Sequence, residues 1–237
     1  HLNEAPHFCL RVNLSRRSRD QVLAELRERG IDCRPGLLSP SSLTVPSLHG
    51  ILNSDLMAEG LLSVQDEASQ LVGLAVRPSP GERILDACAG LGTKTRQLME
   101  ICPQANLISF DNSRRRLLLI NPPGQRVEGD GLAPPFKGES FDTILLDAPC
   151  SSLGIVRKHP ELKWRRSAKD VEGFGRLQAD LLSSLWPTLK PGGHLVYSVC
   201  SFEPEETTAV LDNVRKKIPF VLENPLPFLF NMEYFLS

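Results

Sequence analysis

The 237 residues are 41% hydrophobic and 23% charged, enough apolar content to bury a sizeable core, which excludes a disordered or low-complexity class. The net charge of -1 gives no global nucleic-acid signature, so a polyanion would have to be met by a local patch. Six cysteines, with no C-x-x-C pair and no zinc-finger spacing, argue against a disulfide scaffold or a structural metal site and for reduced thiols. With no leader and no apolar run of spanning length, the expectation is a soluble, cytoplasmic, monomeric chain. The start at His1 without a methionine reads as a fragment of a longer protein.

In chain order, residues 8–14 alternate apolar with polar and predict a strand. Ser15 or Ser18 then caps a helix whose stripe is Val22, Leu23 and Leu26, stopped by Gly30. From 31 to 62, Pro, Ser and Gly interrupt short apolar pieces, so strands and turns are expected there rather than a helix. Residues 1–62 thus make a small N-terminal α+β domain, small enough that it should pack on the rest of the chain.

Residues 63–237 alternate helix and strand. The pattern predicts helix 66–76, strand 83–86, helix 93–101, strand 106–110 and a helix from the Ser113 cap through Leu119. An edge-like strand from Val127 to Asp130 and a buried strand over 141–146 come next. A long helix over 170–189 is closed by Pro191-Gly192-Gly193, and strand 194–199 and helix 204–217 end the series. This order predicts a Rossmann-like, doubly wound, mostly parallel α/β sheet. Between Asp111 and Asp130 the crossover is tight, and Asn121-Pro-Pro-Gly124 breaks its helix. Missing residues are the expectation there, because parallel crossovers usually need a dozen or more.

In such a sheet, loops at the carboxyl ends of strands gather over one crevice. Gly90 and Gly92 follow a strand and allow a tight turn with close backbone approach to a ligand. A strand-to-helix turn without a ligand is the bland alternative. Lys94-Thr95 does not make a phosphate loop, since Thr93 separates Lys94 from Gly92. Asp111 stands where dinucleotide folds place a ribose-binding carboxylate, and Asp130 is placed to accept from an adenine amine. Cys150 and Cys200 each end a strand-like run in a polar turn on the same face. Together these features suggest cysteine nucleophilic catalysis beside a nucleotide-like cofactor.

The residues that carry this pattern resemble the RNA cytosine-5 methyltransferases that use S-adenosylmethionine. Asp86-Ala-Cys-Ala-Gly-Leu-Gly-Thr-Lys-Thr95 is similar to that family's first motif, Asp147-Ala-Pro-Cys150-Ser-Ser-x-Gly154 to its fourth and Ser198-Val-Cys200-Ser201 to its sixth. Gly154 to Trp164 looks like the bacterial subgroup acting on small-subunit ribosomal RNA, the RsmB/Sun/Fmu proteins, and Asn13 with Ser18-Arg19-Asp20 fits that subgroup's small N1 domain. The resemblance spans residues 8–215. Leu91, Thr93 and Val199 depart from the usual motif residues, the subgroup's N-terminal RNA-binding domain has no counterpart here, and its C-terminal strand is not recognisable in Asn231–Ser237.

The resemblance implies that Cys200 is the nucleophile, that Asp147 contacts the base edge, and that Cys150 removes the C5 proton or releases the enzyme. It implies a cofactor pocket from Cys88, Ala89, Gly90, Leu91, Gly92, Thr93, Lys94, Asp111, Asp130 and Asp147, holding S-adenosylmethionine, with no metal. Arg157, Lys158, Lys163, Arg165 and Arg166 around Trp164 offer phosphate contacts and a stacking surface for RNA. Trp164 could equally be a core residue. The same chemistry on tRNA, or a non-catalytic ribosome-assembly role, are the competing expectations.

Overall fold

The alternation in Phe8–Val12 (β1) sends Leu10 and Val12 into one core, against Val22, Leu23 and Leu26 of α1 (Arg19–Glu28). Ser18, not Ser15, opens α1 with a capping box: its side chain accepts from the Gln21 N–H, and the Gln21 side chain accepts from the Ser18 N–H. β2 (Arg34–Pro35), β3 (Ser42–Val45), a short α2 (Asp55–Ala58) capped by Ser54, and β4 (Leu62–Val64) complete this unit. The strands form an antiparallel sheet in the order β2-β3-β1-β4. The structure, a computed structural model, describes residues 7–121 and 124–225. The expected division after residue 62 falls inside β4, because Leu62 to Val64 pair with β1 and Leu62 belongs to the N-terminal core.

The second unit contains α3 (Glu67–Ala75), β5 (Arg83–Asp86), α4 (Thr93–Ile101), β6 (Asn106–Asp111), α5 (Arg114–Leu118) and β7 (Gln125–Glu128). It continues with β8 (Phe141–Asp147), α6 (Leu162–Arg165), α7 (Ala168–Leu185), β9 (Leu189–Ser198) and α8 (Thr208–Arg215). The five strands run parallel in the order β7-β6-β5-β8-β9. This is the doubly wound sheet that the alternation of elements predicts. The period of two decides the layers: Leu85, Ile144 and Leu146 face α7 and α8, whereas Ile84 and Leu145 pack with Leu98 of α4. The strand order reverses at β5 and β8, so the crevice lies over their carboxyl ends.

Several element boundaries differ from expectation for local reasons, among them the helix expected over 204–217, which is a 3-10 turn over Pro204–Glu206 followed by α8. Helix α7 starts earlier because Ser167 and Asp170 form a capping box, and it ends at Leu185 in a 3-10 turn over Trp186–Thr188. Strand β9 accordingly begins at Leu189, and Pro191-Gly192-Gly193 is a bulge within it: Phe141 pairs with Leu189, but Thr143 pairs with His194. Strand β7 ends at Glu128, which leaves Asp130 in the turn beyond. The tight crossover is met by a five-residue α5, and β7 pairs with β6 in parallel. Pro122, Pro123 and the segment Asn231–Ser237 lie outside the described residues.

A polar seam joins the two units. Gln65 Nε2 donates to Gln97 Oε1 (2.8 Å), Gln97 Nε2 to the Gln70 carbonyl (2.7 Å) and Gln70 Nε2 to the Leu10 carbonyl (3.3 Å). Arg11, on the opposite face of β1 from the N-terminal core, reaches Glu100 of α4 at 3.0 Å. Burial lowers the Arg11 pKa to about 10, and the Glu100 charge works against that shift. Lys158 forms an ion pair with Asp66 at the start of α3, so the loop after β8 is tied to the seam. Among the described residues no helix is long and apolar enough to cross a membrane.

Candidate active site

A cavity of about 530 Å³ opens over the carboxyl ends of β5, β6 and β8. Of the residues expected at a cofactor, Cys88, Asp111, Asp130 and Asp147 line it. Ala89 to Lys94 form the turn and helix start behind them. Gly90 and Gly92 take positive φ of 56° and 79°, and Gly92 caps α4, so the turn is one that a side chain would strain. Leu91 is exposed and Thr93 is the first residue of α4. Phe110, Asn112, Arg116 and Leu181 also line the cavity, and sequence reasoning missed them because their neighbours come from other elements.

Asp111 is anchored before any ligand arrives. Its Oδ2 accepts from the Gly90 N–H (2.9 Å), while Oδ1 accepts from the Ser113 N–H (2.8 Å) and pairs with Arg116 (2.8 Å). A carboxylate has about four acceptor positions, so three are filled and one remains. Asp130 Oδ1 accepts from the Leu132 N–H at 2.9 Å. Beneath the turn, Asp86 is fully buried, and burial raises its pKa to about 6 despite a 2.6 Å bond from Thr95 Oγ1. Its Oδ1 has no hydrogen-bond partner. The carboxylates that do line the cavity, Asp111, Asp130 and Asp147, suit a ligand that carries positive charge and hydroxyl or N–H donors. Burial pushes the Cys88 thiol up to about 12, so that side chain is a neutral wall rather than a nucleophile.

The two cysteines come together. Cys150 follows Pro149, which lines the cavity, and its Sγ lies 2.9 Å from Cys200 Sγ. The Cys200 N–H also donates to Cys150 Sγ at 3.3 Å, and Ser152 Oγ stands 3.4 Å from Cys200 Sγ. The contact with Cys150, helped by Ser152, outweighs burial and lowers the Cys200 pKa to about 6. The same contact, then burial, pushes Cys150 far above the ordinary thiol range. One proton is thus shared: Cys200 carries the thiolate and Cys150 the S–H that solvates it. Beside them, Asp147 Oδ2 accepts from Lys94 Nζ (2.5 Å) and Oδ1 from Ser198 Oγ (3.0 Å). Lys94 therefore orients a carboxylate.

Ser152 and Gly154 fall within the fourth-motif stretch but carry no assigned role in the sequence reading. Gly154 donates its N–H to the Cys200 carbonyl at 2.9 Å, and a Cβ there would stand 2.8 Å from that oxygen. Gly154→Ala is expected to displace the Cys200 loop and to destabilise the protein by about 1–3 kcal/mol, the usual cost of overpacking against backbone. Urea unfolding measures it, and an unchanged midpoint would show that the loop yields freely.

The basic stretch is divided. Lys158 is paired with Asp66, and Arg166 donates from Nε to the Ser151 carbonyl (3.0 Å) and lies over the Phe174 ring. Arg157, Lys163 and Arg165 are exposed, and Trp164 on α6 is 90% exposed, which removes the core reading of that ring.

Known proteins resemble this chain in sequence and in fold. Residues 73–228 match the family model described as 16S rRNA methyltransferase RsmB/F, and residues 1–49 match the RsmF/B-like ferredoxin-like domain. Ribosomal RNA small subunit methyltransferase B of Klebsiella pneumoniae (strain 342) is 38% identical over 229 residues, 92% of this chain and 52% of that protein. The solved structure of PH0851 superposes with a TM-score of 0.88 at 29% identity, covering 94% of this chain and 54% of that one. A methyltransferase homolog from Pyrococcus horikoshii gives 0.74 at 26% identity, covering 94% and 77%. The chain spans about half the length of the curated relatives it matches. With a family model matched over most of its residues and a thiol pair beside a glycine-turn cavity, the chain belongs to the RsmB/F family of 16S rRNA methyltransferases.

Proposed function

We propose that this chain methylates carbon 5 of a cytosine in small-subunit ribosomal RNA through a covalent bond between Cys200 and carbon 6. The observation that carries this reading is the 2.9 Å contact that keeps Cys200 ionised at the edge of the cavity. Bound S-adenosylmethionine supplies an electrophilic methyl group. Asp111, Asp130 and the turn at Gly90 to Gly92 would hold it, the carboxylates accepting from its hydroxyl and amine groups. Family membership supports the methyl donor, and the remaining acceptor position of Asp111 in the cavity wall supports the fit.

Carbon 5 of cytosine is a weak nucleophile. Addition of the Cys200 thiolate at carbon 6 breaks the C5=C6 double bond and moves its electron pair toward carbon 5, which splits one hard step into easier ones. Asp147, fixed by Lys94 and Ser198, accepts from the exocyclic amine and keeps the ring edge in register. Once the Cys200 sulfur is bonded to carbon, the negative charge that raised Cys150 is gone. Cys150 then ionises more readily and takes the C5 proton, and the C6–S bond breaks with its electron pair returning to Cys200.

Cytosine must leave its stack to reach the thiols. Trp164, with Arg157, Lys163 and Arg165, is the surface proposed to hold the unstacked strand, since an exposed aromatic ring among cations suits bases and phosphates together.

The test incubates the purified chain with small-subunit rRNA and methyl-labelled S-adenosylmethionine, then digests the RNA to nucleosides. Label in 5-methylcytidine is the expected outcome. Label in another nucleoside would overturn the carbon-5 assignment, and none at all would remove the activity from this chain.

A further inference from the structure

Among the described residues three carboxylates are buried: Asp86, Asp111 and Glu206. Asp111 lines the cavity and Asp86 lies buried beneath the glycine turn, bonded to Thr95, whereas Glu206 has no part in the mechanism above. Glu206 lies in a 3-10 turn, Pro204–Glu206, after β9. Its Oε1 accepts from the Ser151 N–H (2.8 Å) and from Gln178 Nε2 (3.0 Å), and its Oε2 accepts from Ser151 Oγ. Ser201 adds a further hydrogen bond, and Ser151 Oγ also lies 3.3 Å from Ser201 Oγ. Burial works to raise the Glu206 pKa, but these donors more than offset it and leave the group below the usual range, an anion at neutral pH.

The neighbours of this carboxylate are specific. Ser151 directly follows Cys150, and Ser201 directly follows Cys200. Gln178, on α7, also donates to the Pro149 carbonyl at 2.8 Å. The Tyr197 hydroxyl lies 2.9 Å from Gln178 Oε1 and 2.7 Å from the Glu206 carbonyl oxygen. Gly175 lets the turn lie against α7, since a Cβ there would collide with the Glu205 carbonyl. One anion therefore links two loops that leave different strands, and it does so one residue away from each thiol.

Stability alone does not ask for this. A buried charge with satisfied partners is often no more stable than a well-packed apolar replacement. Fixed direction is what a multiply bonded carboxylate supplies and an apolar side chain does not. We infer that Glu206 is a positioning residue for the thiol pair, setting the Cys150–Cys200 separation by holding Ser151 of one loop and Ser201 of the other. Its catalytic meaning rests on the methyltransferase reading; its effect on the sulfurs does not. The short sulfur contact is the main cause of the low Cys200 pKa, so loops that drift apart leave Cys200 a more ordinary thiol.

The test measures alkylation of Cys200 by iodoacetamide in the full chain across pH, read by mass spectrometry of the Cys200 peptide, for wild type, Glu206→Ala and Ser151→Ala. Thermal melting is followed in parallel. The expected result is a Glu206→Ala midpoint raised by about one pH unit or more, so that alkylation below the midpoint slows about tenfold. Ser151→Ala, which keeps the backbone bond but loses the hydroxyl link, should move in the same direction by less. A role confined to stability would lower the melting temperature and leave the midpoint in place. A folded Glu206→Ala protein with the wild-type midpoint overturns the inference; if that variant does not fold, an unmoved midpoint in Ser151→Ala does so. Alkylation needs neither RNA nor cofactor. A shifted midpoint in a protein whose wild type leaves RNA unmethylated would support the positioning role and count against the methyltransferase reading alone.

Discussion

Cys200→Ala is expected to leave a folded protein that transfers methyl groups to RNA slower by on the order of 10⁴-fold or more, the scale seen when a covalent nucleophile is removed. Little stability should be lost, because Cys200 is exposed and packs in no core cluster. Cofactor affinity should also persist, since the cavity is lined by Cys88, Asp111, Asp130 and Asp147 and not by Cys200. In the wild type the nucleophile is the anion, and its pKa is lowered to about 6. That fixes the sign: the rate falls tenfold for each pH unit below about 6 and levels off above it. Methylation assays across pH 5 to 9.5 on both proteins check the two statements together. A Cys200→Ala enzyme with the full rate would assign the chemistry to another group, and a wild-type profile still rising beyond pH 8 would mean that Cys150 does not solvate the thiolate.

The sequence makes some of this architecture legible and conceals the rest, for reasons that can be stated residue by residue. Strands β5, β6 and β8 declare themselves because each is a short, largely apolar and buried run that ends in an aspartate. The start of β9 is concealed because Pro191-Gly192-Gly193 looks like a terminator, yet a bulge absorbs it and pairing resumes at His194. Cys150 and Cys200 stand out as thiols at strand ends, but nothing local says that their sulfurs touch. Glu206 is harder still: it reads as an exposed acid in a helical turn, and its partners Ser151 and Gln178 are 55 and 28 residues away. The basic run beside Trp164 shows the converse. Charge count treats its members alike, whereas the fold sets Lys158 against Asp66 and Arg166 against Ser151 and Phe174, and exposes Lys163 and Arg165 beside the Trp164 ring. Long-range pairing decides which polar residues are structural, and a one-dimensional pattern does not carry it.

Cys150→Ala should separate formation of the covalent bond from its resolution. Without the thiol that removes the C5 proton, turnover is expected to fall by roughly 10²–10⁴-fold, the usual contribution of a positioned acid–base group. Protein–RNA complexes that survive denaturing gels should accumulate in its place. A second consequence works against the first. Cys150 is also the principal cause of the low Cys200 pKa, so its loss returns Cys200 towards the ordinary thiol value near 8.5 and slows addition at neutral pH. The adduct should therefore be scarce near pH 6.5 and plentiful near pH 9, a dependence the wild type would not share. Cys150→Ala combined with Cys200→Ala should give no adduct at any pH. Normal turnover by Cys150→Ala without trapped RNA would remove Cys150 from the reaction, and equal adduct yield at both pH values would show that Cys200 owes its ionisation to something other than its neighbouring sulfur.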